Sequence, residues 1–163
     1  LTDNPSYAHH YPEPGTLRIP YEDGLFVGYR GFEKHGVTPL FPFGHGLSYT
    51  SFSYDDLEAE VDEDGVTVSL EVANDGEWRG GEVVQLYVRD LVGSVTRPIK
   101  ELKGFQRISL APGESKPARF EVSAQELGFH GPDLAYTVEP GKFRVWVGPS
   151  AAEGLEGTFS ITA

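Results

Sequence analysis

The chain has 163 residues, which fits one domain of ordinary size with additional material at one end. Its formal net charge of −12 at pH 7 argues against nucleic acid and anionic membrane surfaces as partners, because both select for Lys and Arg. It contains no cysteine, which excludes disulfides and thiolate metal sites, and no apolar run approaches the ~20 residues of a membrane span. The composition predicts a soluble protein and leaves cytoplasmic and secreted locations both open. Because the chain starts with neither Met nor a signal peptide, we expect a fragment or a processed piece.

Residues 1–40 are rich in proline, glycine and aromatic residues and show no sustained helical period. Each proline lacks a backbone donor and opposes helix. One short run, GLFVGYR (residues 24–30), has the composition of a strand. So long an irregular segment is uncommon in a compact domain that stands alone. We therefore predict that residues 1–40 form an extended connector, which lies against another domain.

The next ten residues, FPFGHGLSYT (residues 41–50), combine three aromatic side chains with two glycines and a proline. The aromatics offer large apolar surfaces, and the glycines let the backbone turn tightly and approach a neighbour. We expect a buried hydrogen-bonding role, rather than catalysis, for the histidine between the glycines. This anchoring motif is predicted to join the connector to the domain that follows. The residues predicted to act as a structural or interdomain anchor are Arg30, Phe41, Phe43, Gly44, His45, Gly46 and Tyr49.

After Thr50 the sequence changes to a period of two, in which apolar residues alternate with polar ones. About seven such segments follow, with Gly, Pro, Asn and Asp between them, and they predict an antiparallel sandwich of two sheets over residues 41–163. One segment, EVVQLYVRD (residues 82–90), alternates two faces: one carries Val84, Leu86 and Val88, and the other carries Val83, Gln85, Tyr87 and Arg89. A single helical turn is predicted at SAQEL, where Ser123 and Glu126 have the spacing of a capping box.

One acidic segment has the spacing of a calcium-binding loop. Glu60, Asp62, Asp64, Gly65 and Glu71 occupy positions 1, 3, 5, 6 and 12 of an EF-hand pattern. The flanking residues alternate as strands, however, and DEDG is an acceptable hairpin turn. The sequence therefore predicts a β-hairpin here and no calcium site.

The remaining candidates for chemistry are isolated residues. The five histidines, which include His9 and His10, lack the spacing of zinc ligands, and no carboxylate pair is marked out for glycoside chemistry. GHGLS lacks the G-x-S-x-G spacing of a nucleophile elbow, and no phosphate-binding glycine motif occurs. We therefore predict no catalytic residue, metal or cofactor in this chain. Trp146 alternates with valines, which favours packing, whereas Trp78 lies in a glycine-rich turn and is a candidate contact surface.

Four segments resemble a known family in their order along the chain. They are residues 21–54 (YEDGLFVGYRGFEKHGVTPLFPFGHGLSYTSFSY), 72–90 (VANDGEWRGGEVVQLYVRD), 97–115 (RPIKELKGFQRISLAPGES) and 139–150 (EPGKFRVWVGPS). Together they closely resemble the C-terminal region of family 3 glycoside hydrolases of the β-glucosidase type. Gly31 departs from the pattern, since many members carry an aromatic residue there, and we expect it to leave a hole or a flexible point.

The resemblance implies both a fold and a division of labour. It implies an all-β sandwich of the fibronectin type III or immunoglobulin-like type, preceded by the connector. It also implies that the nucleophilic Asp lies in an upstream barrel and that the acid/base Glu lies in an upstream α/β domain of the same enzyme. Those domains would bind a β-glucoside or related oligosaccharide and cleave terminal β-linked sugars with retention. This chain would stabilise or position them.

Two other functions remain open at this point. The chain fits a freestanding module that binds carbohydrate or another surface through Trp78 and neighbouring aromatics. It also fits a sandwich that mediates oligomer contacts.

The 163-residue chain alone is predicted to give no turnover of an aryl β-glucoside, because no residue in it matches either catalytic motif. Release of the aryl group from a chromogenic glucoside measures this directly. Turnover that copurifies with the isolated chain would contradict the prediction.

Overall fold

The structure is a computed structural model that describes residues 4–7 and 11–162. His9 and His10, for which no zinc role is predicted, lie outside the described residues. The helices are α1 (Tyr29–His35) and α2 (Ala124–Leu127). The strands are β1 (Phe52–Val61), β2 (Gly65–Asn74), β3 (Gly80–Asp90), β4 (Glu101–Leu110), β5 (Ser115–Ser123), β6 (Phe129–His130), β7 (Tyr136–Thr137), β8 (Gly141–Gly148) and β9 (Leu155–Ile161).

Seven of the strands form a sandwich of two antiparallel sheets. One sheet has the order β1-β2-β5 and the other has the order β4-β3-β8-β9. The two-residue strands β6 and β7 pair separately within the connection from β5 to β8. The predicted all-β sandwich is therefore confirmed, and the small β6–β7 pair is an addition that the alternation pattern does not reveal.

The core between the two sheets follows from the alternation. Val66, Val68, Leu70 and Val72 of β2 are all buried, and they face the alternate apolar residues of β3 and β8. Each such side chain contributes roughly 1.5–3 kcal/mol when it leaves water. The rings of Phe143 and Phe159 stack at 5.2 Å between centroids and extend this core toward β9.

Strand β3 is buried on both faces. Between Val84 and Val88 every residue is shielded, including Gln85 and Tyr87, which point away from the inter-sheet core. The connector provides the cover on that outer face, where the rings of Tyr29 and Tyr87 meet edge to face at 5.8 Å. The connector is therefore packed onto the sandwich.

The strand predicted for residues 24–30 is wrong. Gly24 and Gly28 adopt positive φ angles of 55° and 62°, which interrupt an extended backbone, and α1 starts at the next residue, Tyr29. The helix ends at His35, and Gly36 after it has a φ of 61°, the left-handed conformation common after a helix C-terminus. A helix of only seven residues is marginal by propensity, so its packing on the sandwich stabilises it.

The hole expected at Gly31 is also absent. Gly31 is buried within α1, and a Cβ built there would lie 2.4 Å from the carbonyl oxygen of Phe26. An aromatic side chain at this position would require the turn at Phe26 to move. The glycine therefore permits a close approach of two backbone segments.

The acidic segment forms the predicted hairpin. Residues 62–64 connect β1 to β2, and the Asp62 carboxylate accepts hydrogen bonds from the backbone N–H groups of Asp64 and Gly65 at 2.9 and 3.0 Å. Strands flank the turn on both sides. The Asp62 carboxylate therefore stabilises the hairpin turn through these two hydrogen bonds.

The predicted capping box is confirmed at α2, and it generates a pH-dependent prediction. The Ser123 hydroxyl and backbone N–H both donate to the Glu126 carboxylate, at 2.8 and 2.9 Å, and hold the pKa of Glu126 below its usual value. Ser123→Ala should lower the free energy of unfolding by about 1 kcal/mol at pH 7.

Because the Glu126 pKa is depressed in the folded chain, its contribution is present above the unfolded pKa and is lost as pH falls through the folded pKa. The difference between wild type and Ser123→Ala should therefore shrink on acidification. Urea unfolding at a series of pH values measures it, and a difference independent of pH would contradict the assignment.

Candidate interdomain anchoring site

Three loops meet at one end of the sandwich. They are the segment that contains the anchoring motif (residues 41–51), the β2–β3 turn (residues 75–79) and the β8–β9 turn (residues 149–154). The Ala151 N–H donates to the Phe43 carbonyl at 2.9 Å, and the Asp75 N–H donates to the Ser51 carbonyl at 3.0 Å. These backbone bonds hold the motif against both turns.

The inner side of the motif packs on the covered face of β3. Phe43 contacts the ring of Tyr29 at 5.2 Å between centroids, and Tyr29 in turn contacts Tyr87. The Tyr29 hydroxyl also accepts a hydrogen bond from the Leu102 N–H at 3.0 Å. Burial raises the pKa of Tyr87, because the low-dielectric surroundings disfavour the phenolate. The aromatic contacts therefore link connector, motif and sheet.

Gly44 lies directly over Gln85. Its φ of 88° is in the left-handed region, and a Cβ built on it would lie 2.1 Å from the Gln85 side-chain nitrogen. Gln85 is held in place because its amide donates to the Pro149 carbonyl at 2.6 Å and accepts from the Tyr87 hydroxyl at 2.6 Å. Glycine is thus required at 44 by both conformation and space, whereas Gly46 has open space around its Cβ position.

Asn74 organises the same end of the sandwich and was not singled out from the sequence. It is fully buried, and its side-chain oxygen accepts from the Thr50 hydroxyl at 2.5 Å and the Gly76 N–H at 3.1 Å. Its amide nitrogen donates to the carbonyls of Trp78 and Leu110 at 2.7 and 3.1 Å. The alternation in β2 could have predicted its burial, because position 74 continues the series of alternate residues whose side chains face the core.

The outer side of this end is exposed and apolar. Phe41 is 66% exposed, Leu47 95%, Tyr49 98% and Trp78 65%, and these four residues are called the contact face below. Tyr49 and Trp78 line one shallow depression of about 410 Å³, together with Ser48 and Ser51. The structure therefore brings the candidate contact residue Trp78 next to the anchoring motif.

The buried role expected for His45 is wrong for this chain. His45 is exposed, its ring lies 5.1 Å from that of Phe41, and its backbone N–H donates to the Pro42 carbonyl at 2.9 Å. The tight turn from Pro42 to His45 explains this, because it directs the side chain away from the sheet.

Ion pairs fix α1 beside the site. The Arg30 guanidinium lies 3.7 Å from the Glu101 carboxylate, which also pairs with Arg97 at 2.7 Å. Lys100 lies 3.5 Å from the Glu33 carboxylate, and its ammonium group sits 4.8 Å from the ring centre of Trp146. Trp146 thus packs on the outer sheet face beneath a cation, and Arg30 joins α1 to β4.

The described residues contain no group of three or more His, Cys, Asp or Glu side chains placed to hold a metal ion. No helix in the described ranges is long and apolar enough to cross a membrane.

The two sheets, with strand orders β1-β2-β5 and β4-β3-β8-β9, have the arrangement of a fibronectin type III-like domain. The family model of that description, fibronectin type III-like domain, matches residues 82–151, which run from β3 to the β8–β9 turn.

Longer matches extend over the connector. Thermostable beta-glucosidase B of Acetivibrio thermocellus is 42% identical over 158 residues, which cover 94% of this chain and 21% of that protein. The structure of beta-glucosidase 3B from Thermotoga neapolitana in complex with α-D-glucose aligns with a TM-score of 0.89 and 35% identity, covering 99% of this chain and 23% of that one. Beta-glucosidase from Kluyveromyces marxianus in complex with glucose gives a TM-score of 0.88 and 37% identity, with coverages of 99% and 20%.

The chain belongs to the family 3 glycoside hydrolases of the β-glucosidase type, as a C-terminal region that includes the fibronectin type III-like domain. The resemblance inferred from its sequence is thereby confirmed. The chain spans about a fifth of the length of the relatives that it matches.

The two glycines of the anchoring motif provide a matched pair of variants. Gly44→Ala should lower the free energy of unfolding by roughly 2–4 kcal/mol, from left-handed strain and the clash with buried Gln85. Gly46→Ala should change it by no more than about 0.5 kcal/mol, because its Cβ meets nothing. Chemical denaturation of both variants measures the difference, and equal effects would contradict the packing described here.

Proposed function

We propose that this chain is the accessory C-terminal region of a retaining β-glucosidase-type glycoside hydrolase, and that it stabilises or positions the catalytic domains. In the parent polypeptide, an upstream barrel and α/β domain bind a β-glucoside or related oligosaccharide and hydrolyse terminal β-linked sugars. The support is the similarity over nearly the whole chain to proteins named beta-glucosidase, each roughly four to five times as long.

The observation that carries the positioning role is the two-sided character of the anchoring motif. Its inner side is fixed by the Phe43–Tyr29 contact, the fit of Gly44 over Gln85 and the Thr50–Asn74 hydrogen bond. Its outer side holds large apolar side chains that make little contact with the sandwich, Tyr49 above all. A rigid loop that presents apolar side chains has the form of a surface built for a partner.

Energetics support a catalytic domain of the same polypeptide as that partner. Burying a side chain such as Tyr49 or Leu47 contributes roughly 1.5–3 kcal/mol, so a few of them fix an orientation between tethered domains. The preorganised backbone adds to this, because little conformational entropy remains to be lost on docking. In this proposal, Arg30 holds α1 beside the motif through its ion pair with Glu101, and His45 is one of the exposed side chains of the motif.

A saccharide-binding module is the second candidate, and one observation favours it. The depression between Tyr49 and Trp78 combines two exposed aromatic rings with the hydroxyls of Ser48 and Ser51. Aromatic faces with nearby hydrogen-bonding groups suit sugar rings. Calorimetric titration with cello-oligosaccharides separates the candidates, since binding that is lost in Trp78→Ala would favour the module.

Tyr49→Ala tests the positioning role. In the full-length enzyme it should lower the free energy of unfolding of the docked domains by roughly 2 kcal/mol, because the buried ring is removed. In the isolated chain it should have almost no effect, because Tyr49 is 98% exposed there. Thermal unfolding of both proteins gives the comparison.

Val92→Ala is the control. Val92 is also exposed, but it follows β3 at the opposite end of the sandwich from the contact face. It should leave both proteins unchanged. Equal stability of the Tyr49→Ala and wild-type full-length enzymes would count against the proposed function.

A further inference from the structure

A cavity lies between the connector and the sandwich, beside the contact face. It is open to solvent on one side and has a volume of about 520 Å³, within the range of roughly 300–1,000 Å³ that is typical of binding pockets. Its apolar walls include Phe32 of α1, Val37 and Pro39 after the helix, Phe41 of the anchoring motif and Ala152 of the β8–β9 turn. This cavity is called the socket below.

The two charged side chains at the socket wall, Lys100 and Glu33, are already paired. The Lys100 ammonium group donates to the Ala151 carbonyl at 2.7 Å, pairs with Glu33 at 3.5 Å and lies over the Trp146 ring. Glu33 is thereby neutralised at the same wall. A charged ligand would have to displace these contacts, so the socket favours an uncharged apolar occupant.

The socket is also preformed. One wall is α1, which is tied to β4 by the Tyr29–Leu102 hydrogen bond and the Arg30–Glu101 ion pair. The opposite wall is the β8–β9 turn, which the Ala151–Phe43 backbone bond holds to the anchoring motif. Both walls are thus fixed to the sandwich before any partner arrives.

We propose that the socket receives an uncharged apolar segment of the catalytic domains of the same polypeptide. This inference rests on the proposed function and locates the contact that it requires. The N-terminal part of the chain runs next to α1, since the Pro5 Cβ lies 3.7 Å from the Cβ position at Gly31. A domain that precedes the connector is therefore tethered close to α1, which forms one wall of the socket, and short tethers give high effective concentrations.

Filling the socket tests the proposal in the full-length enzyme. Ala152 is exposed and lines the socket, so Ala152→Trp occupies the space that the segment needs. Ala135→Trp is the matched control, because Ala135 is exposed near β7 at the opposite end of the sandwich. The melting temperature should fall by several degrees for Ala152→Trp and by less than about 1 °C for the control.

Hydrogen exchange supplies a second measurement that needs no variant. In the wild-type full-length enzyme, residues 36–43 and 149–154 should exchange more slowly than in the isolated chain, because the segment covers them. Equal exchange in both proteins would overturn the proposal, whatever the variants do.

Further outcomes separate the possible occupants. If Ala152→Trp leaves the melting temperature unchanged while Tyr49→Ala lowers it, the socket inference fails and the proposed function stands. If neither variant has an effect, both the socket inference and the proposed function fail.

A halving of the mass in sedimentation on Ala152→Trp would assign the socket to a second copy of the chain. A copurified apolar small molecule, seen by native mass spectrometry and lost in Ala152→Trp, would assign it to a ligand. Either result overturns the proposal.

Discussion

Strand β3 is buried on both faces between Val84 and Val88, and this burial determines where the connector and the anchoring motif pack. One face of the strand packs into the inter-sheet core in the ordinary way, but the other carries Gln85 and Tyr87, a polar amide and a phenol that water would otherwise reach. Tyr29 of the connector covers Tyr87 and Gly44 of the anchoring motif lies over Gln85, and this packing fixes the positions of Tyr29, Phe43 and Gly44. The geometry of the anchoring motif follows from this packing, because a motif held on its inner side presents its outer side in one arrangement.

A second organising element is the buried side chain of Asn74. A polar amide in a core position costs free energy unless all its hydrogen-bonding groups are satisfied. Here the cost is offset because the amide joins two loops and β4, through Thr50 of the anchoring motif, Gly76 and the Trp78 carbonyl of the β2–β3 turn, and the Leu110 carbonyl. The same network therefore sets where the contact face lies relative to the sandwich, and it links the core of the fold to the proposed function.

The sandwich is predictable from sequence because its signal is local. The alternation in Val66–Val72 specifies both the strand and its buried face, and the capping box at Ser123 specifies α2 from two residues three apart.

The structure of the connector cannot be predicted from a local pattern of this kind. Positive φ angles at Gly24 and Gly28 convert an apolar run into a turn and a short helix, and the helix forms because it packs on a distant sheet. Packing against a distant sheet produces no periodic pattern in a segment of seven residues, so the sequence does not predict α1. The sequence wrongly predicts a buried His45 because its glycine neighbours indicate tight packing but do not specify the direction of the side chain. The predicted boundary between residues 40 and 41 and the predicted anchor roles stay predictions.

The packing of α1 on the outer sheet has a practical consequence for recombining such enzymes. A chimera joined at the start of the anchoring motif would contain all the strands of the sandwich but would lack Tyr29. It would therefore lose the ring that covers Tyr87 and one wall of the socket. The host enzyme would then have to supply an aromatic residue that packs on Tyr87. Otherwise the Tyr87 side chain on β3 would be exposed to water. The smallest portable unit thus starts upstream of Tyr29, well before the first strand of the sandwich.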